Sequence, residues 1–183
     1  LKIPEFFFRS IANELKFNIA KNFAIGMFFL SSDSKKRKAS INIIEKVLHE
    51  HDFVLAGWRD VPTNEKICGE DALKTLPYIK QAFINPSDKI ADDNIESKLL
   101  VIRKKIEILI NKTDDEIFYI SSLSSKVILY KGMVMPKHLS KFYLDLSNKK
   151  LETSLCIFHQ RFSTNTEPQW SLAQPFRLLA HNG

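Results

Sequence analysis

Glycine is scarce in this chain, with five residues in 183, where an average composition near 7% would supply about 13. None of the five falls in a GxGxxG or GxxxxGK[ST] pattern, so no familiar nucleotide loop is present. Cysteine is scarcer still. Cys68 and Cys156 stand far apart with no CxxC spacing, which excludes a disulfide framework and a zinc ribbon and fits a reducing, cytoplasmic setting. Long apolar runs are also missing. The run "FAIGMFFL" at residues 23–30 falls far short of the roughly 18 to 20 residues that cross a bilayer. The first residues lack the basic-then-apolar order of a signal peptide.

What remains is 44% hydrophobic and 26% charged, enough for one domain with a real core across residues 1–183. The formal charge of +6 raises a nucleic-acid reading, with "KKRK" at residues 35–38 and "RKK" at residues 103–105 as its basic clusters. Both clusters fall on segments with apolar residues at helical spacing, so a solvated helix face explains them more simply. Aromatics do not alternate with the basic residues as a single-strand stacking platform requires.

The periodicity predicts a mixed order of elements. A helix opens at Pro4, with Phe7, Ile11 and Leu15 on one side. A buried strand follows over residues 22–30, then a helix over 35–51 with Ile41, Ile44, Val47 and Leu48 on one face. A strand ends at Pro62, a polar loop with a short helix at Pro77, and another strand runs to Pro86. The clearest helix spans 94–110, with Ile95, Leu99, Ile102, Ile106 and Leu109 as its stripe and Asp92 or Asp93 as its cap. "IFYISSLSSKVILYKGM" predicts a hairpin around "SLSS", and residues 151–163 predict one more strand. Neighbouring strands with interspersed helices favour an α+β layered sandwich rich in antiparallel pairing over a doubly wound parallel sheet.

The chemistry-bearing segment is "CIFHQRFSTNTEPQWSLAQPFRLLAHNG" at residues 156–183. Arg161 offers a planar fork suited to a carboxylate, with Ser163 or Thr164 behind it for the rest of an amino-acid ligand. The competing reading is a structural Arg with Ser and Thr making local turns. Asn182 and Gly183 read either as a tight turn or as a side-chain amide and a backbone N–H forming an oxyanion hole. His49, Glu50 and His51 lack the i, i+4 spacing of a helical zinc site and read as a helix end. Cys156 reads as core filler, and His159 and His181 as oriented structural groups rather than bases.

"FHQRFSTNT", Trp170 and "LAQPFRLLAHNG" together, with "IPEFFFR", "IGMFFL", "GWRDVP", "FYISSLSSKVILYKGM" and "FYLDL" upstream, make the sequence similar to one family along essentially its whole length. It resembles the glutaminase domain of the glutamate synthase large subunit, a class II glutamine amidotransferase. The resemblance implies the N-terminal nucleophile hydrolase fold, a layered αββα sandwich of antiparallel sheets. It implies that Arg161 grips the glutamine α-carboxylate, that Phe162 and Thr164 shape the pocket, and that Asn182 and Gly183 supply the oxyanion donors. It also implies a cysteine nucleophile at a mature N-terminus, with thiolate attack on the amide releasing ammonia.

Position 1 is Leu1, and the match starts well inside the family domain. The expectation is therefore an interior fragment without the nucleophile, inactive alone or complemented by other fragments or subunits of glutamate synthase. Cys68, in "KICGE", is a poor substitute because its amine is tied up in a peptide bond. The family's acidic residue for the substrate amine, its flavin (FMN) and its iron–sulfur cluster are expected outside this segment, which is expected to hold no cofactor or metal. A third expectation, from a different class, is a non-catalytic basic module binding nucleic acid through the clusters around Lys35 and Arg103.

Overall fold

The structure is a computed structural model that describes residues 1–162, 165 and 167–176. Its centre is strand β1 (Ala24–Leu30), in which every residue is buried. A strand apolar on both sides has to lie inside a sheet with both faces covered. β1 is flanked by β3 (Tyr78–Pro86) and β4 (Tyr119–Ser124), with β2 (Phe53–Asp60) outside β3, giving the order β2-β3-β1-β4. Every pairing is antiparallel. The α+β layered class follows, and among the described residues a single four-stranded sheet makes up its β layer.

Helices α2 (Ser34–Glu50) and α4 (Ile95–Ile110) cover one face of this sheet. Ile44, Val47 and Leu48 of α2 meet Ile95, Leu99, Ile102 and Ile106 of α4 above Phe28, Leu30, Ala82 and Ile84. Each of the larger of these side chains, Ala82 apart, contributes about 1.5–3 kcal/mol by leaving water. The i, i+3, i+4 stripe on α4 holds, with Ile110 rather than Leu109 as its last fully buried member. Asp33 starts α2 by accepting from the N–H groups of Lys35 and Lys36 at 2.7 and 3.0 Å. Those donors hold the Asp33 carboxyl below its ordinary range. α2 ends at Glu50 with His51 as its cap, as the "HEH" run suggested.

The other face is filled by α1 (Glu5–Glu14) and by the largely irregular chain after β4. Phe7, Phe8, Ile11 and Ala12 are the buried side of α1, whereas Leu15 is exposed, because the helix has ended before it. The short helices α3 (Glu70–Lys74) and α5 (Leu139–Phe142) bring Ala72, Phe142 and Tyr143 into the same cluster.

Three sequence expectations need correction. Asp92 and Asp93 do not cap α4. A 3-10 turn over Asp92–Asn94 leads into the helix, Asn94 is its N-cap without a side-chain bond, and the Asp92 carboxylate is taken by the Asn22 amide. "SLSS" is not a hairpin turn, since β4 runs through Ser124 and the chain reverses after it, with the Ser124 hydroxyl accepting from the N–H groups of Lys126 and Val127.

The returning residues form no ladder with β4, because serine hydroxyls occupy the backbone partners. Ser121 donates to the Leu129 carbonyl at 3.3 Å, and the Leu129 N–H donates to Ser122 at 3.2 Å. Finally, the strand expected over residues 151–163 is absent among the described residues. Leu155, Ile157 and Phe158 are exposed, and the Lys2 N–H, donating to the Leu155 carbonyl, is the backbone contact found there. Without a sheet partner, alternation alone does not make a strand.

Candidate functional site

On the face of the sheet that α1 covers lies a stack of aromatic side chains: Phe29, Phe142, Tyr143 and Tyr130, with Trp170 against Phe29 and Phe142. Trp170 is 4% exposed, and its indole N–H donates to the Ala72 carbonyl at 3.0 Å. This anchor returns the signature segment to the core after its exposed passage. Gly132 makes it possible: a Cβ there would stand 2.7 Å from the Trp170 ring. Only glycine allows the two chains to approach so closely.

Residues 129–132 form the floor of a cavity of about 200 Å³ whose other walls are residues 156–162 and 173–175. The floor is fastened from below. The Tyr130 hydroxyl donates to Asp145 at 2.9 Å and accepts from the Gln81 amide at 3.3 Å. Asp145 is 3% exposed and is gripped through both oxygens by Arg59, at 2.8 and 2.6 Å, while Arg59 also donates to Gln81 at 2.7 Å. Burial, reinforced by the Asp145 charge, pushes the Tyr130 hydroxyl well above its ordinary pKa. The Tyr143 hydroxyl donates to the Lys131 carbonyl at 2.7 Å. Every polar group of this network has a partner, which is the condition for a buried network to be rigid.

Arg161 and Phe162 both line the cavity, Phe162 half-buried and Arg161 exposed, with no hydrogen bond or ion pair to the Arg161 guanidinium among the described residues. A fork of five donors at the rim of a small, mostly apolar cavity is suited to a carboxylate. The volume is that of one small ligand, below the ~300–1000 Å³ of drug-sized sites. Thr164, Asn182, Gly183, Ser163 and His181 lie outside the described residues.

His159 and Cys156 line the same cavity and are exposed. Cys156 is thus not core filler: the segment carrying it is not held in a sheet. Cys68 is half-buried against the aromatic cluster, and burial followed by the Glu65 charge pushes its thiol up, which opposes thiolate chemistry.

The sequence reading overlooked the cavity floor. "VILYKGM" places a lysine inside an apolar run and a glycine beside it, and that mismatch with a simple strand was the available signal.

Five basic side chains of the two clusters are engaged within the molecule. Arg103 is 8% exposed, bonded to Glu107 and to the Ile120 carbonyl, while Lys104 and Lys105 pair with Glu107 and Glu50. Lys36 pairs with Asp114, and Arg37 donates to the carbonyls of Ser31 and Ser32 and lies over the Tyr78 ring. Among the described residues no group of three His, Cys, Asp or Glu side chains is placed to hold a metal ion. No helix there is long and apolar enough to cross a membrane.

Comparison of the sequence with known proteins assigns a family. The model of the class-II glutamine amidotransferases matches residues 1–183. The chain is 39% identical over 183 residues to the glutamate synthase [NADPH] large chain of Azospirillum brasilense, covering 99% of this chain and 12% of that one. It is 37% identical over 184 residues to its counterpart in Bacillus subtilis, covering 100% and 12%. It is 40% identical over 160 residues to ferredoxin-dependent glutamate synthase 1 of Arabidopsis thaliana, covering 87% and 10%. The chain thus spans about a tenth of the length of these relatives. With a match to the family model along its full length, the chain belongs to the class-II glutamine amidotransferases.

Proposed function

We propose that this chain forms the glutamine-binding part of the glutaminase domain of a glutamate synthase. Glutamine enters the cavity over residues 129–132, and its α-carboxylate pairs with Arg161 at the rim. Phe162 and Thr164 shape the pocket around the aliphatic part. Asn182 and Gly183 supply the donors for the oxyanion that forms when the side-chain amide is attacked. The reading is carried by one observation: Arg161 and Phe162, singled out on sequence, open onto one cavity of amino-acid size. The roles of Thr164, Asn182 and Gly183 rest on the resemblance alone.

The attacking thiolate of the family is assigned to neither cysteine described here. Cys68 sits in the aromatic cluster with its thiol pushed up, and Cys156 has an α-amine committed to a peptide bond and so lacks the family's base. Glutamine hydrolysis, the transfer of its ammonia into glutamate, and the flavin and iron–sulfur chemistry that completes that synthesis belong in this proposal to the larger enzyme. The chain contributes the binding constellation.

Calorimetric titration of L-glutamine into the purified chain tests the reading. A saturable heat that Arg161→Ala weakens at least tenfold supports it, the loss expected for a charge-assisted bidentate pair worth about 1.5–3 kcal/mol. Heat that is absent, or equal in the variant, rejects it.

A further inference from the structure

Lys131 is the one lysine in the aromatic core, 2% exposed and ranked among the largest fully buried side chains. It lines the cavity, and its amine reaches the turn that leads into residues 173–175. The amine donates to the Ser171 carbonyl at 2.9 Å and to the Tyr119 hydroxyl at 3.0 Å. It lies 4.3 Å from the Tyr119 ring centroid and 4.8 Å from that of Phe176. None of these partners is an anion, so among the described residues the ammonium is held by dipoles and ring faces.

Ser171 sits in a tight turn closed by the N–H groups of Leu172 and Ala173, which both donate to the Gln169 carbonyl. The turn begins at Trp170, whose ring rests on Gly132. It ends in Ala173, Gln174 and Pro175, which wall the cavity facing Arg161 and Phe162. Lys131 and Gly132, adjacent in sequence, therefore hold this wall by two different means, a hydrogen bond and a close packing contact.

We propose that Lys131 is a positioning residue for the cavity, latching the turn at Ser171, and with it the wall at residues 173–175, to the floor most firmly when its amine is neutral. A neutral amine keeps its hydrogen bond to the Ser171 carbonyl, whereas a charged one seated here loses hydration that a carbonyl, a hydroxyl and two ring faces do not replace. Burial opposes the charge, and with the Arg103 charge nearby it draws the amine down to about 7, so protonation and seating of the wall are linked near neutrality. The charged and titratable groups around Lys131 are Arg103 of α4 with its partner Glu107, Tyr119 of β4, Tyr143, and the Tyr130 and Asp145 pair below. His159, Arg161 and Cys156 line the cavity on its far side. That glutamine is the ligand so governed rests on the function proposed above.

The test is a ligand-free pH titration of isotope-labelled chain from pH about 5.5 to about 9, following the Trp170 indole N–H and the Ala173 amide by NMR, paired with glutamine titrations at both ends. The expected result is a shift of both signals with a midpoint near 7, abolished in Lys131→Met and held at the low-pH position in Lys131→Arg. Glutamine affinity should rise about fivefold or more toward high pH in the unaltered chain and stay flat in both variants. Signals that do not titrate, or a titration surviving in Lys131→Met and so belonging to another group, overturn the latch. A titrating wall with pH-independent glutamine affinity overturns its positioning role. A titrating wall, abolished by Lys131→Met, in a chain that binds no glutamine leaves the latch standing and rejects glutamine as the ligand.

Discussion

Arg59 and Asp145 meet through two parallel hydrogen bonds beneath the cavity floor, joining β2 to the turn after α5, 86 residues later in the chain. Asp145 is 3% exposed and the Arg59 side chain 13%, so removing one partner strands the other in the interior. Asp145→Ala should destabilise the fold by about 3–5 kcal/mol in denaturant unfolding, because it also deprives the Tyr130 hydroxyl of its acceptor. Arg59→Met combined with Asp145→Leu should cost less than the sum of the single changes. Additive costs would show that the pair does not act as a unit.

Gly132→Ala tests the close approach of the floor to Trp170. The added methyl would stand 2.7 Å from a ring carbon, and the ring is fixed on its other sides by Phe29, Phe142 and the Ala72 carbonyl. The expected cost is about 1–3 kcal/mol, with tryptophan emission moving to the red as the indole is displaced toward water. Unchanged stability and emission would mean that the wall yields freely.

The two cysteines should differ in reactivity. Cys156 is exposed at the cavity and Cys68 is half-buried with a thiol pushed up. A maleimide should label Cys156 at least about tenfold faster at neutral pH, and saturating glutamine should slow that reaction. Equal rates, read by mass spectrometry, would contradict the placement of residues 156–162.

Stability should also depend on pH through Lys131. Its amine is drawn from an ordinary 10.5 to about 7 in the folded chain. Below pH 7 the amine is charged in both folded and unfolded chains, and the cost of burying the charge is paid in full. Above pH 7 the folded form releases the proton while the unfolded form retains it, so the unfolded form binds more protons and stability rises toward pH 10.5. Relative to Lys131→Met, the unaltered chain should gain up to roughly 1.4 kcal/mol per pH unit across that window. Parallel stability curves for the two proteins would contradict it.

The layered α+β arrangement was legible because three signals agreed: the uniformly apolar β1, the stripe on α4, and prolines bounding β2 and β3. The end of α2 was legible in the polar run at His49. The chain after β4 was not. There, serine hydroxyls answer the backbone of Leu129, and residues 155–158 keep an apolar character with no strand beside them. Local periodicity carries no information on whether a partner strand is present. At the site, Arg161 stood out through the resemblance to the family, because a guanidinium among small hydroxyl side chains reads equally as a structural Arg. Lys131 and Gly132 did not, since their roles come from Trp170 and Ser171, some 40 residues away in sequence.

The most direct measurement of where glutamine sits is a crystal structure of the chain grown with L-glutamine. The prediction is an α-carboxylate within about 2.7–2.9 Å of the Arg161 guanidinium, with the aliphatic part over residues 129–132 beside Phe162. Glutamine bound at any other surface, or a cavity filled while Arg161 stays turned to solvent, would contradict it.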